Sequence, residues 1–368
     1  MKVLILTCNN GGGHNVIAEA LRQCYANHGD DCEVRDCFSF FSPAVSDCVS
    51  FAHNFVFCYL PGFYGSSLRR AEENPDLFSE RRLARKLINL GRFSLGKFIR
   101  SQGIDQVLCT HVFAAMMLTA AKKKYSLAVR TALVETDHGN TPGCTNNDMD
   151  FHFLPDKSLV PGLLSAGIEK SKLVVTGIPV REEIKQRTGN GSAKKALELD
   201  PDKPHLLMMG GSMGGGPLRE LFGRLYRSQG GKVQLTVLCG SNTRLQKELT
   251  AKFGHFPTVR ILGFAPDLSL LYDSADLLLT KPGGSTTAEA AVKQLPMVLI
   301  NLVAGPESHN LDFFLKNGGA VTGGTTEELC ARCEMLLRDG ERRQKMCLAL
   351  QRISSADATE IIYRTMTH

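Results

Sequence analysis

The stretch Lys281–Asn310, KPGGSTTAEAAVKQLPMVLINLVAGPESHN, decides the fold. It reads as the end of a strand, a glycine turn, a short helix, a buried strand and a polar loop. Just ahead of it, Leu277–Thr280 is an apolar run of strand length, stopped by Pro282-Gly283-Gly284. Ser285, Thr286 and Thr287 are expected to cap the helix, with its first backbone N–H groups facing the turn. Such a helix start, here with Gly284, attracts a phosphate without needing a lysine. Glu289 follows one turn later, within reach of a ribose hydroxyl. Beyond the strand Pro296–Ile300, an expected loop offers Glu307, His309 and Asn310, residue types suited to sugar hydroxyls. An ordinary βαβ crossover would read the same way here, so the rest of the chain has to decide.

The first half supplies a second strand–turn–helix unit. Lys2–Thr7 suits the buried strand of a parallel sheet. Asn9-Asn10-Gly11-Gly12-Gly13-His14 then turns into a helix whose buried face is expected to carry Val16, Ile17, Ala20, Leu21 and Cys24. A dinucleotide fingerprint would need glycine at Val16, although Asp36, ending the expected second strand Cys32–Asp36, stands where a ribose-binding acid could stand. Three glycines ending in a histidine indicate close backbone approach to a ligand, with an imidazole at a helix N-terminus. The helix dipole favours the neutral ring there, able to act as a base. A histidine that merely caps its helix is the plainer alternative.

Further strands are expected at Gln106–Thr110, Val129–Glu135 and Asp150–Leu154, and Leu173–Val180 closes this half. Thr136-Asp137-His138 follows the second of these. Ligands of open α/β sheets gather at the carboxyl ends of strands, so Asp137 and His138 are expected to face the same cleft as His14. Between Asp36 and the strand at Gln106, Ser50–Gly65 is aromatic and apolar. Arg69, Arg70, Arg81, Arg82, Arg85, Lys86, Arg92, Lys97 and Arg100 follow it. That composition suits docking on anionic lipid headgroups, and equally a core helix with a solvated face.

Residues 181–203 are polar, with Gly189-Asn190-Gly191-Ser192, Pro201 and, just beyond, Pro204, and mark a linker between two domains. The expected organisation is a domain at 1–180, the linker, a second domain at 204–340 and a helix at 341–368 returning to the first. The second domain opens with the strand His205–Met209 and the glycine turn Gly210–Gly216, with Pro217 as first helical residue. No lysine follows the glycines in the Walker manner, which argues against an NTPase.

Composition narrows the class. The chain has 368 residues, is 43% hydrophobic and can bury two cores. No apolar run reaches the roughly 18–20 residues of a spanning helix. The start lacks the pattern of a secretion signal, so a cytoplasmic location is expected. The 12 cysteines are scattered, and Cys330-x-x-Cys333 has no second pair, so no metal is expected. A net charge of +6 without tryptophan does not suggest a nucleic-acid surface.

The ordered motifs carry a resemblance. They are Gly11-Gly12-Gly13-His14, Thr136-Asp137, Thr176-Gly177-Ile178-Pro179-Val180, Gly210–Gly216, Gly263-Phe264, Lys281–Glu289 and Gly305-Pro306-Glu307 through Asn310. Over nearly its whole length the chain resembles the glycosyltransferase family of monogalactosyldiacylglycerol synthase and processive diacylglycerol glucosyltransferase. The murein GlcNAc transferase is a more distant relative.

The resemblance implies an α/β GT-B fold, two Rossmann-like domains facing each other across a cleft. It also implies inverting transfer of a hexose from a UDP-sugar, with no cofactor and no active-site metal. Gly211, Ser212, Met213, Gly214 and Gly215 with Gly284, Ser285 and Thr286 would hold the diphosphate. Backbone at Phe264 and Ala265 would meet uracil, Glu289 the ribose, and Glu307 and Asn310 the sugar. Gly12, Gly13 and His138 would border the acceptor, with His14 or Asp137 as base. The acceptor is expected to be a lipid, diacylglycerol first, at an anionic membrane surface on the cytoplasmic side, with no nucleic-acid partner. Glucose, galactose and GlcNAc stay open, as does oligomeric state. A GlcNAc transferase acting on a polyprenyl-linked or polysaccharide acceptor is the competing transferase. A nicotinamide oxidoreductase and a non-catalytic nucleotide-sugar-binding protein are the competing classes.

Overall fold

In the computed structural model, residues 1–8, 12–41, 83–139, 141–301 and 306–368 are described. Asn9, Asn10, Gly11, the aromatic run Ser50–Gly65, the arginines at 69, 70, 81 and 82, and Gly305 lie outside them.

The chain divides into two compact units. The first comprises Met1–Arg181, Val303–His309 and Ser355–His368, and the second Glu182–Leu302 and Asn310–Ser354. Each is built on a six-stranded, wholly parallel sheet. In the first, the strands are β1 (Lys2–Thr7), β2 (Asp31–Asp36), β3 (Gln106–Cys109), β4 (Arg130–Val134), β5 (Phe151–Leu154) and β6 (Leu173–Val175), in the order β2-β1-β3-β4-β5-β6. In the second they are β7 (His205–Met209), β8 (Gln234–Leu238), β9 (Val259–Leu262), β10 (Leu277–Thr280), β11 (Met297–Ile300) and β12 (Ala320–Gly323), in the order β12-β11-β10-β7-β8-β9. This is the GT-B type of α/β fold.

The sheet interiors explain why the strands were readable. All residues of β3, β7, β8, β10 and β11 are buried, as is most of β1, because helices cover both faces of a parallel sheet. Register follows from the apolar runs: Leu277, Leu278 and Leu279 of β10 pair with Leu206, Leu207 and Met208 of β7.

Strand order fixes where ligands can bind. In the first sheet the chain runs from β1 to β2 and then crosses to β3 on the other side of β1. In the second it runs β7, β8, β9 and crosses to β10 beside β7. The carboxyl ends of β1 and β3, and of β7 and β10, are therefore the two switch points, the places where such sheets open a crevice.

Several elements depart from the sequence expectations. Residues 181–203 carry two short helices, Glu182–Lys185 and Asn190–Ala196. Asn190 is anchored by its amide to the carbonyls of Asp273 and Ser274, which supplies the order its polar neighbours do not suggest. Lys293 and Asp273 form an ion pair of 2.7 Å between almost fully buried side chains. Lys293 also donates to Gln186 O and Ser269 Oγ, so each of its ammonium hydrogens has a partner. At the C-terminus, Gly340–Ile353 stays in the second unit, and Ala358–Thr367 packs in the first. That last helix buries Ile362 and Met366, and the Met366 carbonyl accepts a 2.8 Å bond from Gln106 of β3.

Candidate active site

The helix after β1, Gly12–Asn27, begins at Gly12, so Gly12, Gly13 and His14 form its first turn. Its buried face is Ile17, Ala18, Ala20, Leu21, Cys24 and Tyr25, with Val16 only half-buried. His14 reaches across the switch point, and its Nδ1 lies 2.8 Å from the carbonyl oxygen of Thr110 after β3. A carbonyl only accepts, so Nδ1 carries the hydrogen and Nε2 presents its lone pair. His111, the N-cap of the next helix, meets the His14 ring edge-on at 4.9 Å. Burial holds the imidazole below its ordinary pKa, and the Asp137 charge and the Thr110 bond pull partly back. The ring is therefore neutral at pH 7.

Asp137 belongs to the same cluster. The Thr136 hydroxyl donates to Asp137 Oδ2 at 2.9 Å and lies 3.4 Å from His14 Nδ1. His138 follows, its imidazole held by burial at about 4, against the opposing charges of Asp156 and Asp137. Glu135, between β4 and Thr136, is buried, and its Oε1 has no hydrogen-bond partner among the described residues. Burial and the Asp137 charge raise its carboxyl to about 8, with a Thr141 hydrogen bond pulling partly back. Glu135 is thus neutral at pH 7. Gly139 lies closely against the His309 ring, both within the first unit. Asp36 caps the turn that follows it by accepting from Phe38 N at 3.0 Å. This commits one oxygen of that carboxylate to the protein's own backbone.

The second unit's site is made chiefly of main chain. The turn after β7 has Gly211, Gly214 and Gly216 at φ of +71, +58 and +91. A Cβ on Gly214 would overlap the Cys239 carbonyl, so the turn is wedged against the one after β8. Two amides expected to meet the diphosphate are already used inside the turn. Gly214 N donates to Gly211 O at 3.0 Å and Gly215 N to Gly210 O at 2.9 Å. Ser212 holds the neighbouring turn through its carbonyl, which accepts from Ser241 N at 2.8 Å, while Met213 is exposed.

Across that switch point, the helix Gly284–Val292 starts from Gly283 as N-cap, with no side-chain cap bond. This corrects the expectation of hydroxyl caps. Thr287 bonds back to Gly283 O, while Ser285 is buried and Thr286 half-buried beside the uncapped first turn. That first turn keeps the positive end of its dipole for an anion. Lys281, directly after β10, has its Cε 3.3 Å from where a Gly211 Cβ would stand.

Glu289 is buried and accepts from Tyr272 Oη at 3.2 Å, a partner no motif announces. Phe264, after β9, is 72% exposed, an unusual place for a large apolar ring, and Ala265 beside it is half-buried. The expected polar loop at Glu307 is instead the helix Pro306–Lys316, started by its proline. Asn310 within it is fully buried and donates to the Pro282 carbonyl at 2.9 Å. Its side chain holds the turn before Gly283, a supporting place different from the expected sugar contact. Glu307 stands in that helix's first turn.

With this geometry in view, the comparisons with known proteins are specific. Residues 14–180 match the model of monogalactosyldiacylglycerol (MGDG) synthase, and 205–327 that of the glycosyltransferase family 28 C-terminal domain. Processive diacylglycerol beta-glucosyltransferase of Bacillus subtilis (strain 168) is 27% identical over 98% of this chain and 93% of its own. The Bacillus licheniformis protein of the same name is 26% identical at the same coverage. Among solved structures, Acinetobacter baumannii MurG superposes with a TM-score of 0.66 at 16% identity, covering 100% of this chain and 99% of that one. MnaA of S. aureus, solved with UDP, superposes at 0.64 and 16% identity, covering 99% and 95%.

Proposed function

The chain belongs to the glycosyltransferase family of monogalactosyldiacylglycerol synthase and processive diacylglycerol beta-glucosyltransferase, and from that premise we propose that it moves a hexose from a UDP-sugar to diacylglycerol at a membrane surface by inverting, metal-independent displacement. It is a UDP-sugar-dependent hexosyltransferase. The observation that carries the mechanism is His14, whose Nδ1 is tied to a backbone carbonyl while Nε2 presents a lone pair.

In this reading the acceptor hydroxyl gives its proton to His14 Nε2 as its oxygen attacks the anomeric carbon. The new glycosidic bond forms as the bond from that carbon to the phosphate oxygen breaks, from the opposite face, so configuration inverts. Asp137 is the counter-charge for the imidazolium that results, in line with its pull on the His14 titration. Gly12 and Gly13 let the acceptor approach the helix start, and His138 borders it. UDP leaves as the dianion of its terminal phosphate. Its charge is met by the uncapped turn at Gly284–Thr286, by Lys281 and by the amides of Gly211–Met213, a role metals fill in other transferases. Phe264 and Ala265 flank the base, Glu289 takes the ribose and Glu307 the sugar.

A mixed basic and apolar face supports the membrane part. Along Leu83–Ile88, the turn Asn89–Gly91 and Arg92–Gln102, the exposed positions Lys86, Leu87, Leu90, Phe93, Lys97 and Arg100 recur at helical spacing. Leu87 is 51% and Leu90 49% exposed, and Arg92 lies 4.3 Å over the Phe93 ring. Apolar side chains can enter the headgroup layer while each basic residue adds about 1 kcal/mol on an anionic surface. No helix among the described residues is long and apolar enough to cross a membrane.

The test presents labelled UDP-glucose, UDP-galactose and UDP-GlcNAc to the enzyme with diacylglycerol in anionic liposomes. Labelled lipid of inverted configuration, formed with chelator present, is expected from one donor. UDP binding without labelled lipid from any donor would remove diacylglycerol as acceptor and leave polyprenyl-linked acceptors to try.

A further inference from the structure

A second cluster of chemically capable side chains lies between the first helix and the C-terminal one. Cys24 lies in the last turn of Gly12–Asn27, His28 directly follows that helix, and Glu360 is on Ala358–Thr367; their donor atoms all lie within 4.8 Å of one another. We propose that Cys24, His28 and Glu360 form a binding site for a divalent cation of the zinc class, which fastens the C-terminal helix to the first helix.

Three observations converge. The first is orientation. His28 Nδ1 lies 2.9 Å from the Cys24 carbonyl, so that nitrogen carries the hydrogen. Nε2 then presents a lone pair, yet it faces Glu360 Oε2 at 3.5 Å. Two acceptors face each other, an arrangement that calls for a cation between them, either a proton or a metal ion. Metal-bound histidines have their other ring nitrogen bonded to a carbonyl in this way.

The second is spacing. An ion with tetrahedral bonds of about 2.0–2.3 Å to N, O and S holds its ligand atoms about 3.4–3.6 Å apart. Cys24 Sγ, which donates to Glu360 Oε1 without the ion, is 3.4 Å from that oxygen, His28 Nε2 is 3.5 Å from the other carboxylate oxygen, Oε2, and one donor atom from each residue lies within 4.8 Å of the others. The third is stiffness. The Tyr363 ring stacks on His28 at 3.8 Å and 20°, and Tyr363 also packs edge-on against Tyr25, so the imidazole is held.

One thiolate, one imidazole and one carboxylate make a borderline-soft set suited to Zn²⁺, with a fourth position left for water. Cys24 is buried, while about a third of the His28 and Glu360 side chains is exposed, giving an ion a way in. This departs from the expectation of no metal, which rested on cysteine spacing along the chain. It lies in the first unit on the helix that carries His14, and is no part of the transfer chemistry.

Co²⁺ titration of the chelator-treated full-length protein tests it. One equivalent should produce a thiolate-to-cobalt charge-transfer band that Zn²⁺ displaces, and Zn²⁺ should raise the melting temperature. Cys24→Ser should abolish the band. His28→Gln and Glu360→Gln should weaken Co²⁺ binding by more than the about 10–100-fold that loss of an outer-shell partner costs. The melting shift caused by UDP should be unchanged in all three. No band in the wild type would leave a protonated His28–Glu360 ion pair in its place. A band that survives Cys24→Ser would assign the metal to another cysteine. Either result overturns the proposal.

Discussion

The two switch points share a topology and use opposite materials. At β1, β3 and the neighbouring β4 the site consists of side chains: a neutral His14 and a neutral Glu135, whose titration burial has altered, beside Asp137. At β7 and β10 it consists of main chain: positive-φ glycines, a helix started by Gly283 without a side-chain cap, and Lys281 as the added charge. The difference suits what each is proposed to hold. A proton in transit needs a group whose affinity can be tuned by burial and neighbours. A diphosphate needs dipoles already in place, which cost no reorganisation when charge develops.

The comparison breaks most visibly at His14. His14→Ala should lower kcat by about 10²–10⁴-fold while leaving the melting shift caused by UDP unchanged. In the wild type, turnover should persist as pH falls to 6.5, the ordinary histidine value, and be lost below it as the ring protonates, because burial lowers this pKa. Steady-state rates across pH, beside UDP melts on both proteins, check both points. A loss of UDP binding in His14→Ala would mean the two sites are not chemically separate.

The opposite signature is expected from Gly214→Ala. Its φ of +58 and the Cys239 carbonyl leave no room for a methyl group. The turn must shift, at a cost of about 1–3 kcal/mol in backbone strain before any clash. UDP affinity should fall with it, while the His14 titration, followed by NMR, should stay put. Lys281→Met, which keeps length and removes charge, should be milder. Losing one charge-assisted contact costs about 1.5–3 kcal/mol, or roughly tenfold to a hundredfold in UDP affinity by calorimetry. Unchanged affinity would restore the lysine-free phosphate site that the sequence suggested.

How much of this was readable in the sequence follows the same division. Parallel strands declare themselves, because burial on both faces turns them into continuous apolar runs such as Leu277–Leu279. Glycine turns at their ends are also legible in the chain, and Gly211 and Gly214 do take positive φ. Helix starts were less clear. Serine and threonine after Gly283 look like caps, yet Gly283 occupies that place and Thr287 bonds backwards. Pro306 reads as loop until it is seen to begin the helix holding Asn310.

Least visible were partners that exist only in three dimensions. The Thr110 carbonyl orienting His14 is a backbone atom 96 residues away. Tyr272 on Glu289 and Glu360 beside Cys24 carry no local signal either. Nor does composition reveal that Glu135 is desolvated.

Glu135 therefore gives the sharpest test of the side-chain site. Its carboxyl, buried and facing the Asp137 charge, titrates at about 8 against an ordinary 4.5. The folded protein thus keeps a proton that the unfolded chain releases above 4.5. The sign is the reverse of the usual carboxylate. Stability is fully present below 4.5 and lost as pH rises to 8, at about 1.4 kcal/mol per pH unit. Glu135→Gln has the same shape and no proton to lose, so its contribution to that slope should vanish. Urea unfolding of both proteins from pH 5 to 8 should show the variant gaining on the wild type at each step. The Cys144 thiol, itself raised by burial and by the Glu135 charge, stays protonated throughout this window. Parallel pH profiles for the two proteins would mean that Glu135 is ionised in the fold. Asp137 would then sit beside a second charge, and the contrast between the two switch points would lose its chemical basis.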